Sequence, residues 1–238
     1  MRCLTLLSGG LDSCVASTLA RKECDELFAL TFVYGQRHSR EVESARKIGK
    51  FLDVEEHKFV TLDPDLFITS SLVNKKLDVE ERDIDEIGKD IPSTYVPARN
   101  IIFLSYALAF AESRDIEEIY IGVNALDYSG YPDCRPEFIE AFQRVAELGT
   151  RRGLEGRIRI RTPLIKMRKK EIIEMGIKIR APLQLTWSCY RGRRKACGRC
   201  DACLLRLKGF KEAGYRDPMD YETFPSWYDP EKLQPIEF

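Results

Sequence analysis

The apolar run Cys3 to Leu7 stops at a Ser-Gly-Gly turn, and helix-compatible spacing from Ser13 to Lys22 follows, so the chain opens as strand, glycine turn, helix. A second strand is predicted over Leu27 to Val33. Helical periodicity returns from Ser39 to Leu52, with Val42, Ala45, Ile48 and Leu52 on one face, and a third strand over His57 to Leu62. The apolar helix Asn100 to Ser113 and the strand Glu118 to Val123 repeat the rhythm. Beyond a turn-rich loop, Asn124 to Arg135, come a helix over Pro136 to Leu148, a short strand near Arg157 to Arg161 and a helix over Met167 to Met175. Strands alternating with helices give an α/β fold, a parallel sheet with helices on both faces. The expected division is residues 1–180 for this α/β domain and 181–238 for a small C-terminal subdomain with a helix from about Asp201 to Ala213 and an aromatic tail. The acidic segment Lys75 to Asp90 reads as a solvated insertion without chemistry.

Two features of composition narrow this picture. The 38 basic and 38 acidic residues cancel, so bulk charge points to neither nucleic acid nor an anionic membrane. No apolar run reaches membrane-spanning length and no signal peptide opens the chain, which gives a cytoplasmic protein with no membrane partner as the expectation. In that compartment thiols stay reduced, so eight cysteines with four of them crowded between Cys189 and Cys203 fit a metal site better than a disulfide framework. Cys189, Cys197, Cys200 and Cys203 are separated by seven, two and two residues, spacings that close a tetrahedral Zn²⁺ site with the last Cys-x-x-Cys entering a helix. Arg191, Arg193, Arg194, Lys195 and Arg199 are placed to offset its negative charge. Iron-sulfur ligation and a redox Cys-x-x-Cys fit the spacing less well. Cys3, Cys14 and Cys24 are expected as packing residues.

The strand-to-helix junction Leu7-Ser8-Gly9-Gly10-Leu11-Asp12-Ser13 is built for an anion. Glycines let phosphate oxygens approach the backbone, the helix start offers N–H groups, and Ser8 and Ser13 add hydroxyls. Asp12 would repel phosphate unless Mg²⁺ lay between them, which gives it a metal-linked role. The loop has no lysine, so it is not the loop of γ-phosphate-transferring kinases and GTPases. Arg99, two residues after Pro97 at a helix start, is placed to clamp phosphate or carboxylate. Asn124, Asp127, Tyr128, Tyr131, Asp133 and Arg135 follow a strand's carboxyl end, where open α/β sheets bind ligands. There tyrosines offer stacking faces, and Asp127 or Asp133 is able to accept hydrogens from a ligand's N–H groups. Cys134 reads as packing, and of the two histidines only His38 stays a candidate.

Ser8 to Ser13 resembles the Ser-Gly-Gly-x-Asp-Ser signature of the ATP pyrophosphatase superfamily, which releases pyrophosphate and leaves AMP on the substrate. Tyr34-Gly35-Gln36-Arg37-His38, Val96-Pro97-Ala98-Arg99-Asn100, the string Gly122 to Arg135 and the cysteine cluster are together similar to the 7-cyano-7-deazaguanine synthase family, from Leu4 to about Leu207. The resemblance implies an adenine nucleotide alpha hydrolase-like fold, ATP, Mg²⁺ and Zn²⁺ as cofactors, and a homodimer. It implies conversion of 7-carboxy-7-deazaguanine and ammonia to the nitrile through adenylated acid and amide, toward queuosine or archaeosine, with catalytic roles for Asp12, Arg99 and Lys169. Lys169 would meet the leaving pyrophosphate, although Arg168 and Lys170 are basic too. The tail Phe224 to Tyr228 reads as a surface seeking cover. The rival readings are a tRNA-thiolating member of the superfamily, using the clustered cysteines to carry sulfur, and a zinc-dependent nucleic-acid-binding module using Arg191 to Arg199.

Overall fold

A computed structural model describes residues 1–37, 39–126 and 131–237. Five parallel strands, β1 (Arg2–Leu6), β2 (Glu26–Val33), β3 (Glu56–Thr61), β4 (Glu118–Ile121) and β5 (Arg159–Arg161), lie in the order β3-β2-β1-β4-β5. The helices are α1 (Leu11–Glu23), α2 (Arg40–Phe51), α3 (Arg99–Glu112), α4 (Pro136–Gly149), the four-residue α5 (Arg151–Leu154), α6 (Lys169–Lys178) and α7 (Asp201–Ala213).

The strand residues sort by the period of two that a sheet imposes. Leu4 and Leu6 of β1, Phe28, Leu30 and Phe32 of β2, and Ile119 and Ile121 of β4 point to one face, where α3 and α4 bring Leu104, Leu108, Ile139 and Phe142. On the other face Leu7 and Ala29 meet α1, α2 and α6 through Val15, Ala45, Ile48, Ile172 and Ile173, with Phe210 of α7 in the same cluster. Both faces are thus covered, which is why the central strands read as continuous apolar runs. The chain winds outward one way through β2 and β3 and the other way through β4 and β5. The strand order therefore reverses between β1 and β4, and a crevice opens at their carboxyl ends.

Two expectations are corrected here, and a third holds in part. Cys3 and Cys24 are disulfide-bonded, because α1 runs back along β1 and its C-cap, Cys24, returns beside the strand's first residues. The acidic insertion is docked through its charges: Arg82 pairs with the buried Asp201 of α7, the Glu81 carboxylate with Arg191, and Val79 packs against the cysteine cluster. The tail is covered only in part: Tyr228 is buried, its ring stacks on Phe224 at 5.4 Å and its hydroxyl accepts from the Asp217 N–H at 3.0 Å, while Phe224 itself stays exposed. No helix among the described residues is long and apolar enough to cross a membrane.

Candidate active site

The glycine loop is held open by what surrounds it. Gly9 has φ +93°, and a Cβ there would lie 2.0 Å from the carbonyl oxygen of Glu41, so the first turn of α2 rests directly on the loop. Gly122, just past β4, plays the same part from the other side: a Cβ on it would come within 2.8 Å of the Asp12 and Ser13 backbone. Inside the loop the Ser8 hydroxyl donates to Ser13 Oγ and accepts from the Gly10 N–H, while Ser13 donates to the Gly10 carbonyl. Gly10 is the N-cap of α1 and no side chain caps the helix, so its N-terminal dipole end is left to act on the crevice.

Lys169 is the first residue of α6, and its ammonium donates to both carboxylate oxygens of Asp12 at 2.7 Å. Among three consecutive basic residues it is the one facing the loop. The Arg168 side chain is exposed and its backbone N–H donates to Glu171, while Lys170 lies 3.7 Å from Glu174 on the outer surface.

Loop, pair and strand ends border a cavity of about 260 Å³. Its floor is Leu6, Leu30, Phe32 and Ile121, and its sides carry Tyr34, Phe103 and Tyr131, with Phe103 stacked on Phe32 at 4.0 Å. A slab of this kind, apolar below and aromatic at the sides with polar groups at one end, suits a flat heteroaromatic ring. Arg99 enters from the first residue of α3, directed by Ala98, whose left-handed φ of +54° is a strained conformation for a residue with a Cβ. Tyr34, buried beside Arg99, has its hydroxyl held above the usual phenol range by that burial.

The expected substrate residues divide between lining and bracing. Tyr131 lines the cavity, with its hydroxyl 3.1 Å from Thr94 Oγ1. Asn124 also lines it, but its side chain is engaged: Nδ2 donates to the Met167 carbonyl at 2.6 Å and Oδ1 accepts from the Leu126 N–H, tying the exit of β4 to the approach of α6. Asp133 is buried and accepts from the Asn100 N–H at 2.9 Å, acting on the start of α3 that carries Arg99. Arg135 is exposed at the N-cap of α4. Asp127, Tyr128 and His38 lie outside the described residues. Cys134 is buried, with its thiol pushed up to about 12 by that burial, as suits packing.

Sequence reasoning passed over Glu41. It borders this cavity and a second one of about 230 Å³ lined by the same loop, Trp187 and Tyr190. The signal available was its place three residues after the Tyr-Gly-Gln-Arg-His string, at the start of a helix whose periodic pattern marks only its apolar face.

The four expected ligands come together. The sulfurs of Cys189, Cys197, Cys200 and Cys203 all lie within 4.8 Å of one another and all four residues are buried. Backbone N–H groups of Arg191, Cys197, Arg199 and Cys200 point at the Cys189 and Cys197 sulfurs at 3.3 to 3.4 Å, the donors that thiolates use to spread charge. Four enclosed soft ligands with no oxygen or nitrogen donor among them fit a closed structural Zn²⁺ site. The basic loop also balances carboxylates here, with Arg191 and Arg199 on Glu81 and Arg193 on Glu222.

Fold and site define a doubly wound α/β enzyme with its crevice at the strand-order reversal and a cysteine metal centre beside it. The family described as queuosine biosynthesis protein QueC matches residues 2–214, and this chain belongs to that family. Among its relatives is a 7-cyano-7-deazaguanine synthase of Thermoplasma volcanium, 47% identical over 99% of this chain and 98% of that one. Another, of Acetivibrio thermocellus and with the same name, is 53% identical over 92% of this chain and 97% of its own. The ammonia-dependent NAD synthetase of Campylobacter jejuni superposes on 77% of this chain and 66% of its own with TM-score 0.44 and 17% identity, too loosely to bear on function.

Proposed function

We propose that the chain is an ATP-dependent carbon–nitrogen ligase that converts 7-carboxy-7-deazaguanine and ammonia to 7-cyano-7-deazaguanine, in queuosine or archaeosine biosynthesis. The observation that carries this reading, beside the family, is the Asp12–Lys169 pair at the mouth of an aromatic cavity next to an uncapped helix N-terminus. A paired cation and anion at an anion-binding turn are suited to being separated by a nucleotide's phosphates. Lys169 then neutralises the departing pyrophosphate, and the carboxylate of Asp12, a hard oxygen donor, is the group suited to Mg²⁺, which supplies charge neutralisation. The chemistry needs little else from the protein. ATP adenylates the carboxylate, ammonia displaces AMP to give the amide, and a second ATP activates the amide oxygen so that AMP departs and the nitrile remains. Leu7 to Ser13 hold the phosphates, Arg99 the developing charge at the acyl centre, and Tyr34, Phe103 and Tyr131 the ring, while the closed apolar floor keeps water from the acyl adenylate.

Four buried cysteines committed to one another speak against the sulfur-carrying alternative, which needs a reachable thiol. The test is turnover with Mg-ATP, ammonium and 7-carboxy-7-deazaguanine, followed by mass spectrometry. The expected result is nitrile with AMP and pyrophosphate, lost in Asp12→Ala and reduced at least about 100-fold in Lys169→Ala. ATP cleavage that responds to tRNA and ignores the deazapurine would send the assignment to the thiolase.

A further inference from the structure

Ammonia is the reactant that the site described so far does not handle. At neutral pH it is mostly ammonium, which has no lone pair, so a group in the crevice that holds the cation and removes a proton would supply the nucleophile for the C–N bond. Asp12 and Glu41 are the only carboxylates bordering either cavity among the described residues. Asp12 already accepts from Lys169 on both oxygens, and no described cation lies within ion-pair distance of Glu41. The first turn of α2 is fixed against the loop at Gly9, so Glu41 is rigidly placed where the two cavities meet. One cavity carries the aromatic walls suited to the deazapurine. The other runs between the loop and Trp187, Tyr190 and Ala202.

We infer that Glu41 is the ammonium acceptor and general base of the amide-forming step, an inference that rests on the ligase reading above. The Glu41 carboxylate takes one proton from ammonium, and the freed ammonia attacks the acyl carbon. The C–N bond forms as the C–O bond to AMP breaks with its electron pair going to the AMP oxygen. Glu41 hands its first proton to water and collects the surplus N–H proton of the adduct. Burial pushes its carboxyl up to about 7 against the pull of Arg99, which suits a group that carries a proton in transit near neutrality. Besides Arg99, the ionisable groups lining the same two cavities are Asp12, Lys169, Tyr34, Tyr131, Cys134, Tyr190 and Arg206, and the Cys189 thiol acts on Glu41 more weakly than Arg99 does.

Glu41→Gln separates this role from adenylation, which needs no nitrogen. Carboxylate-dependent exchange of pyrophosphate into ATP should stay within about threefold of the parent, while amide formation from ammonium at neutral pH should fall about 100-fold and recover as alkaline pH supplies free ammonia. Hydroxylamine, a nucleophile that is neutral at the same pH, should trap the acyl adenylate as hydroxamate at the parental rate, and Glu41→Asp should restore part of the ammonium reaction. Loss of exchange together with amide formation would overturn the inference and place Glu41 with the nucleotide. An unchanged pH profile and KM for ammonium would overturn it as well. Absence of exchange in the parent protein would instead sink the ligase reading beneath it.

Discussion

Thr31 fixes the state of His57. The threonine hydroxyl donates to the Leu7 carbonyl at 2.5 Å, which leaves it only lone pairs for the imidazole 2.8 Å away, so the hydrogen-bond network assigns the ring hydrogen to Nε2. The other nitrogen lies against Gly49 of α2, so closely that a Cβ there would fall 2.4 Å from Nδ1. Partial burial, with the Arg46 charge adding to it, lowers the imidazole from 6.5 to about 4, so the native state holds it neutral across that range. The unfolded chain binds the proton first as pH falls. Stability is therefore unaffected above about 6.5 and declines as pH drops toward about 4. His57→Gln should flatten that part of the curve while keeping a donor to Thr31. Thermal unfolding of both proteins across the window checks it, and parallel curves would remove His57 as the cause. Glu41 and His57 share a lesson about legibility. Both were passed over because their state comes from burial by parts of the chain far away in sequence, with Thr31 and Leu7 also fixing the tautomer of His57.

Elements were legible where the pattern is unambiguous. The opening strand, turn and helix appear as expected, because β1 is covered on both faces and a glycine pair ends it. Helix α7 runs over the expected Asp201 to Ala213, entered from Cys200 and closed by Gly214 in a left-handed conformation. Helix α6 starts two residues later than expected and runs three further, a difference of the size that caps decide. The edge strand β5 is only three residues, its two arginines exposed and its apolar signal correspondingly thin, and the single turn α5 left no periodicity to read. What no pattern reveals is how closely elements approach. Gly122 lets α1 sit on the end of β4, so Gly122→Ala must move backbone that carries Asp12, not a flexible side chain. The expected cost is about 1–3 kcal/mol of stability. Because Asp12 and Ser13 are displaced with it, turnover should fall by more than the unfolded fraction explains. Denaturant unfolding and kcat/KM on one preparation separate the two, and a loss of stability with kcat/KM intact would show that the loop tolerates the shift.

At the scale of the molecule, the cysteine centre and the active site are one mechanical unit. Cys200 is the N-cap of α7, and α7 packs along α6, where a Cβ on Gly209 would lie 2.4 Å from Cγ of Lys169. The stem of the lysine that faces the glycine loop is thus braced by the helix that the metal would anchor. A second link runs from the chain just before Cys189: the Trp187 N–H donates to the Gly9 carbonyl at 2.9 Å, and Arg40 of α2 lies over the Trp187 ring at 4.9 Å. Beneath both, Arg206 of α7 makes a bidentate buried pair with Asp217, which also accepts from Tyr221, and this closes the tail over the cluster. The spacing of four cysteines predicts a metal site but says nothing of this bracing, which arises only when α7 folds against α6. Removing the metal that these cysteines would hold should therefore do two things at once. Chelation, or Cys200→Ser, should lower the unfolding temperature, because the four buried thiols would lose the ion that their arrangement is suited to hold. It should also reduce carboxylate-dependent pyrophosphate exchange at temperatures well below unfolding, since Lys169 and Gly9 lose their support, and adding zinc back to chelated protein should restore both. Exchange that persists undiminished in folded, metal-free protein would mean that the centre holds the C-terminal segment together without reaching the site.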